Sequence, residues 1–221
     1  MVRSNLKGDG MEDMETLEQL IKDGKAGETE SLVRGLLEGG ASPEVLMKEA
    51  MIPAMEEVGD FFQQGKFFLP EMLMAARAMQ RGMEVLKPVL VSSGAGFTGK
   101  VVIGTVRGDI HDIGKNLVAM TLEGAGFEVV DLGVDVPLER FVEAAREHSP
   151  QVLGLSALLT TTMLAMKDTV AALGEAGLRD SVKVMIGGAA ASQEFASSIG
   201  VDFYGPDSTS ARDYARDVVA G

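Results

Sequence analysis

The chain has 221 residues and contains no cysteine and no tryptophan. The first absence rules out disulfides and thiolate metal sites. Aromatic residues make up 5%, so a core must be built from aliphatic side chains and methionine. There are only two histidines, His111 and His148. Positive charge is also short: 20 basic residues stand against 33 acidic ones, for a formal net charge of −13. Cut at residue 96, the two parts carry −6 and −7. Neither is basic, which argues against a nucleic-acid partner. No apolar run reaches membrane-spanning length, and Met1 to Met11 lacks the apolar segment of a secretory signal. The composition reads as a cytoplasmic protein with no membrane partner. There is no P-loop sequence, no dinucleotide fingerprint and no serine in a nucleophile elbow.

What is present divides in two. Residues 12–86 read as helical. Met14, Leu17, Leu20 and Ile21 share one face at a period near 3.6, and Gly24 closes that helix. A second helix carries Leu32, Val33, Leu36 and Leu37 and stops at Gly39-Gly40. Ser42 as N-cap and Pro43 in the first turn open a third. Its apolar stripe runs from Leu46 to Phe62. A fourth starts near Leu69-Pro70-Glu71 and is expected to stop at Lys87-Pro88. Four helices with short connections predict an antiparallel bundle. Nine of the 14 methionines fall between Met11 and Met83. They either fill an irregular core or form an adaptable apolar cover for a bulky ligand.

Ser92-Ser93-Gly94-Ala95-Gly96 reads as a flexible linker. The expected division is a helical domain over 1–90, a linker over 91–98 and a second domain over 99–221. In the second domain, short apolar runs at 100–106, 127–131, 151–156, 182–187 and 201–203 read as strands. Helices are expected near 113–125, 137–148, 162–176, 191–198 and 208–219. The predicted class is α plus α/β: a four-helix bundle followed by a five-stranded, doubly wound parallel sheet of Rossmann or flavodoxin kind.

Three loops leave the carboxyl ends of predicted strands, where open α/β sheets place ligands. The first is Gly108-Asp109-Ile110-His111-Asp112-Ile113-Gly114, with an imidazole two residues after a carboxylate. That spacing fits a metal-bound histidine held by an acid behind it. The second runs from Ser156 through Leu158 and Thr160 to Thr162, whose hydroxyls can bond a ligand's polar edges or Asp109. The third opens with Gly187-Gly188, which lets a large ligand approach the main chain. Each piece alone has a plainer explanation. A loop histidine is most often structural, and glycines serve any strand-to-helix turn. His148 reads as a helix C-terminal residue suited to the macrodipole. The combination is far more specific than its parts.

Asp109-x-His111-x-x-Gly114, then Ser156-x-Leu158, then Gly187-Gly188 resembles the cobalamin-binding signature of methionine synthase and the corrinoid proteins. Val58-Gly59-Asp60-x-Phe62-x-x-Gly65-Lys66-x-Phe68-Leu69-Pro70-Glu71 is similar to that superfamily's helical cap. The resemblance spans roughly residues 12–219. It implies a cobalamin bound base-off, with His111 as lower axial cobalt ligand. Asp109 and Thr162 would form a ligand relay, Thr162 standing where methionine synthase has serine. Gly108, Ile110, Asp112, Ile113 and Gly114 would complete the His111 loop around the cofactor. Ser156, Leu158, Thr160, Gly187, Gly188, Tyr204 and Asp207 would surround the cofactor's nucleotide tail. Phe62 and Leu69 would lie over the methyl face. The implied function is a methyl carrier cycling between methylcobalamin and cob(I)alamin. A substrate-specific methyltransferase would load it, a tetrahydrofolate or coenzyme M methyltransferase would unload it, and a reductive activase would rescue it. Proton uptake by the His111–Asp109 pair could accompany release of the ligand, and the 92–96 linker is the expected hinge. Three alternatives stand beside it. The cobalamin subunit of a radical mutase would lack the helical cap motif. A corrinoid-sensing regulator would need a DNA-binding module. A flavodoxin-like signalling domain would need an acidic phosphoacceptor cluster.

Overall fold

A computed structural model describes residues 8–93 and 96–221. The extreme amino terminus, and Gly94 and Ala95 of the expected hinge, lie outside the described residues. The chain forms two compact units. One is helical and reaches Gly96; the other runs from Phe97 to Gly221, with Gly124–Gly126 clustering with the first. No helix among the described residues is long and apolar enough to cross a membrane.

In the helical unit α1 spans Gly8–Lys22 and α2 Ala26–Glu38. Then come α3 (Pro43–Leu46), a π-helical turn (Met47–Met51), α4 (Ile52–Gln63) and α5 (Leu69–Ser93). Ser42 caps α3 by accepting from the Val45 N–H, as its sequence position predicts. The π turn interrupts what reads in sequence as one helix over 43–62. Its cause is Pro53, which has no N–H to donate and whose ring would collide with the carbonyl four residues back. Widening the turn, with the Ile52 N–H reaching Met47 O, takes up the misfit. α2 packs on α5, and α1 packs on α2 and α4. Leu17, Ile21, Val33, Leu46, Met47, Met51, Met72, Met79 and Leu86 are buried in this unit.

The end of the last helix differs from the expectation. Lys87-Pro88 does not stop α5, which runs on to Ser93 through residues assigned to the linker. An interior proline costs about 3 kcal/mol. Here Leu86 and Leu90, four residues apart, are both fully buried. Burial of a leucine stabilises by about 1.5–3 kcal/mol, enough to carry the helix past the break.

The second unit is a parallel sheet of β1 (Lys100–Thr105), β2 (Glu128–Asp131), β3 (Val152–Ser156), β4 (Lys183–Gly187) and β5 (Phe203–Gly205). Strand order is β2-β1-β3-β4-β5. Helices α6 (Ile113–Gly124), α7 (Leu138–His148), α8 (Leu164–Glu175), α9 (Gln193–Ile199) and α10 (Ser208–Ala220) alternate with the strands. Val102, Leu153, Val184 and Ile186 from the sheet are buried with Phe141, Val170 and Leu173 from the helices. His148 closes α7, as predicted. The chain reverses its winding direction between β1 and β3, and in such sheets the crevice at that point, beyond the strands' carboxyl ends, is where ligands bind. β5 starts two residues later than predicted. Val201 is apolar but lies in the turn after Gly200, which ends α9 in the left-handed conformation. Tyr204 is therefore a strand residue, half-buried against the core, and not part of the following loop.

Candidate functional site

The loop after β1 turns tightly. Gly108 has φ +82, and the Asp109 N–H returns to the Val106 carbonyl at 3.1 Å. This turn buries the Asp109 side chain completely while His111 stays about half exposed. Asp109 Oδ1 takes both the His111 backbone N–H, at 3.0 Å, and the ring Nδ1, at 2.7 Å. Asp109 Oδ2 accepts from Thr162 Oγ1 at 2.6 Å and from the Leu158 and Leu159 N–H groups at 2.8 and 3.4 Å. The loop after β3 thus reaches across the switch point to grip the acid from the far side. Burial alone would push this carboxyl up. The hydrogen bonds from Thr162, His111 and Leu158 outweigh burial and hold it well below the ordinary carboxylate range.

The tautomer follows. An ionised carboxylate only accepts, so the proton on the ring nitrogen facing it belongs to His111 Nδ1. Nε2 then carries the free lone pair and has no protein partner among the described residues. No group of three or more His, Cys, Asp or Glu converges to hold a metal among the described residues. A metal already held in a macrocycle would need only this one nitrogen from the chain.

The surroundings fit a large, flat, apolar ligand. Ile110 and Ile113, on either side of His111, are each 73% exposed. Leu158, Leu159, Val134 and Leu164 are also exposed, on loops that leave the same sheet end or just beyond. Gly114 stands in the first turn of α6, where glycine weakens a helix. A side chain there would meet no protein atom within 4 Å, so nothing in the chain itself calls for glycine. Gly188 is different. Its φ is +111, and a Cβ would stand 2.1 Å from the Ala157 carbonyl oxygen. Only bare backbone fits against Ala157, just past the end of β3, at that point.

Not every predicted residue joins this constellation. Of the three hydroxyls, only Thr162 bonds Asp109. Ser156 ends β3, paired in register with Thr105 and Gly187, and Thr160 is exposed. Asp112 accepts from the Asn116 side chain at 3.0 Å. Asp207 caps α10, accepting from the Ser210 N–H and hydroxyl at 2.7 and 2.8 Å. Phe62 and Leu69 belong to the helical unit, in the last turn of α4 and at the start of α5, where Phe68, Leu69, Leu73 and Met74 are exposed. Sequence reading missed three contributors. Thr105, fully buried, donates its hydroxyl to the His111 carbonyl at 3.0 Å. Lys115 is buried against Asp131 and donates to Asn116 at 2.6 Å. Asp135 accepts from the Gly108 N–H at 2.7 Å. Nothing in Gly133-Val134-Asp135-Val136-Pro137 as a sequence pointed to His111.

Both parts of the chain resemble known proteins. Residues 99–213 and 14–87 each match a family model described as a B12 binding domain. The chain is 50% identical over 175 residues to trimethylamine corrinoid protein 1 of Methanosarcina acetivorans, covering 78% of this chain and 81% of the relative. It is 45% identical over 183 residues to dimethylamine corrinoid protein 1 of the same organism, covering 82% and 86%. The fold is similar to the methanol:cobalamin methyltransferase complex of Methanosarcina barkeri, at a TM-score of 0.86 and 34% identity. That match covers 95% of this chain and 80% of the other.

Proposed function

Because this chain belongs to the B12-binding corrinoid proteins, we propose that it is the methyl carrier of a methylamine or methanol methyltransferase system. When bound, the corrinoid supplies a cobalt that takes up a methyl group from one partner and yields it to another. The chain's own part is to hold, orient and shield. His111 Nε2 would bind the cobalt. Asp109 fixes the ring's tautomer and plane, and Thr162 with the Leu158 N–H keeps that acid ionised and still. Ile110 and Ile113, exposed beside His111, would give the macrocycle an apolar surface to rest on. Gly114 leaves room beside the ligand, and the backbone at Gly187-Gly188 lines the way for the nucleotide tail. A substrate-specific methyltransferase loads the carrier, a tetrahydrofolate or coenzyme M methyltransferase unloads it, and a reductive activase restores it after oxidation.

The observation that carries this reading is the free Nε2 of His111, on an imidazole whose other nitrogen is held by a buried carboxylate at the sheet's switch point. The test is methyl uptake. The chain, loaded with reduced corrinoid, is mixed in turn with trimethylamine, dimethylamine, monomethylamine and methanol methyltransferases and their substrates. One pairing should convert the visible spectrum to the methylated form at catalytic enzyme levels. No conversion with any of the four would overturn the proposal.

A further inference from the structure

Asp135 is one of two described residues other than glycine with positive φ, at +51. Residues with a side chain seldom adopt that conformation, and where they do the surroundings hold them there. Asp135 sits in the loop after β2, on the opposite side of β1 from the loop that carries Thr162. Its Oδ1 accepts from the Gly108 N–H at 2.7 Å, and its own N–H donates to the Asp109 carbonyl at 2.9 Å. The next residue continues the attachment, the Val136 N–H bonding Thr105 O at 3.0 Å beside the Val106–Val136 bridge. In this left-handed backbone conformation one residue presents its carboxylate to one peptide of the turn and its N–H to another.

We propose that Asp135 is a positioning residue for His111, locking the Gly108–Asp109 turn from which the imidazole projects. Thr162 and the Leu158 N–H restrain the carboxylate of Asp109, whereas Asp135 restrains its backbone. Without that restraint the carboxylate and the ring are no longer held in one relative pose. The ring then loses its fixed tautomer, and Nε2 its constant aim. The inference rests on His111 being the cobalt ligand, and the experiment separates the two claims.

Three variants are compared with the parent: Asp135→Gly, Asp135→Asn and His111→Ala. Glycine relieves the backbone conformation but removes the acceptor. Asparagine keeps an acceptor oxygen and tolerates positive φ. The first readout needs no corrinoid. Nitrogen NMR of histidine-labelled chain, at mildly alkaline pH where a free imidazole is neutral, reports which ring nitrogen carries the proton. The parent should show His111 protonated at Nδ1, with His111→Ala assigning the signal. Asp135→Gly should show a mixture of tautomers, with cob(II)alamin bound about ten-fold more weakly. Asp135→Asn should match the parent in both. The brace is refuted if Asp135→Gly keeps the parent's tautomer and affinity. It is equally refuted if Asp135→Asn is as impaired as the glycine variant. If His111→Ala binds cob(II)alamin as tightly as the parent, the ligand assignment fails, while the tautomer measurement still judges the brace.

Discussion

Thr162 Oγ1 lies 2.6 Å from Asp109 Oδ2, although 53 residues separate them along the chain. The contact joins the loops after β1 and β3 through a buried charge. Hydrogen bonds to charged groups contribute about 1.5–3 kcal/mol. Thr162→Val, which keeps the shape and removes the donor, should destabilise the corrinoid-free chain by about that much in urea unfolding. Thr162→Ser should recover most of the loss. A valine variant as stable as the parent would mean the hydroxyl is not what holds the acid.

Lys115 and Asp131 form an asymmetric pair, with the ammonium buried and the carboxylate partly open to water. Removing the buried lysine leaves a carboxylate that water can solvate and costs little; removing the aspartate strands the buried ammonium and costs about 3–5 kcal/mol. Asp131→Asn should therefore destabilise the chain much more than Lys115→Met. Chemical denaturation of the two variants and of the double variant gives the comparison. The reverse order would contradict the burial pattern.

Gly114 and Gly188 predict opposite outcomes for the same substitution. Gly114→Ala adds a methyl to a helical turn that has room for it. The corrinoid-free chain should gain about 0.5–1 kcal/mol in stability and lose affinity for cobalamin. Gly188→Ala drives its Cβ into the Ala157 carbonyl and should abolish folding or cost at least about 3 kcal/mol. Thermal melts and cobalamin titration separate the cases. Unaltered cobalamin binding by Gly114→Ala would remove Gly114 from the site.

Tyr214 stacks on Phe203 with ring centroids 4.3 Å apart. Burial, with the Asp202 charge adding to it and Arg179 opposing it, pushes the phenol up to about 12. A group raised by folding contributes stability that is full below its unfolded value, near 10, and lost as pH rises through about 12. In a Tyr204→Phe background the phenolate absorbance of the folded chain should appear with a midpoint near 12, and stability should decline across that interval. A midpoint near 10 would contradict the stacking environment.

Much of this architecture was legible in the sequence, for identifiable reasons. The strands are continuous apolar runs because both sheet faces are covered, and four of the five fall within a residue or so of their expected bounds. The misreadings occur where tertiary packing overrides a local signal. Buried Leu90 draws α5 past Pro88, and apolar Val201 belongs to a turn. The reading of one continuous helix passed over Pro53, and the resulting π turn ahead of α4 depends on how the surrounding helix is packed. Asp109, His111 and Thr162 could be picked out because their side chains do the work and their types carry it. Thr105 and Asp135 could not, because each acts on the backbone of the His111 loop from a different loop or strand. Residue type at those positions says nothing about a carbonyl or N–H brought near by folding.

The central claim is that His111 ligates cobalt through Nε2, and electron paramagnetic resonance of bound cob(II)alamin tests it directly. In chain grown with nitrogen-15 histidine, the axial nitrogen splitting should change from the three-line pattern of nitrogen-14 to two lines, which identifies a protein imidazole. In His111→Ala that label-dependent splitting should vanish. A two-line pattern persisting in the His111→Ala protein, or a splitting in the parent that ignores the label, would contradict the account.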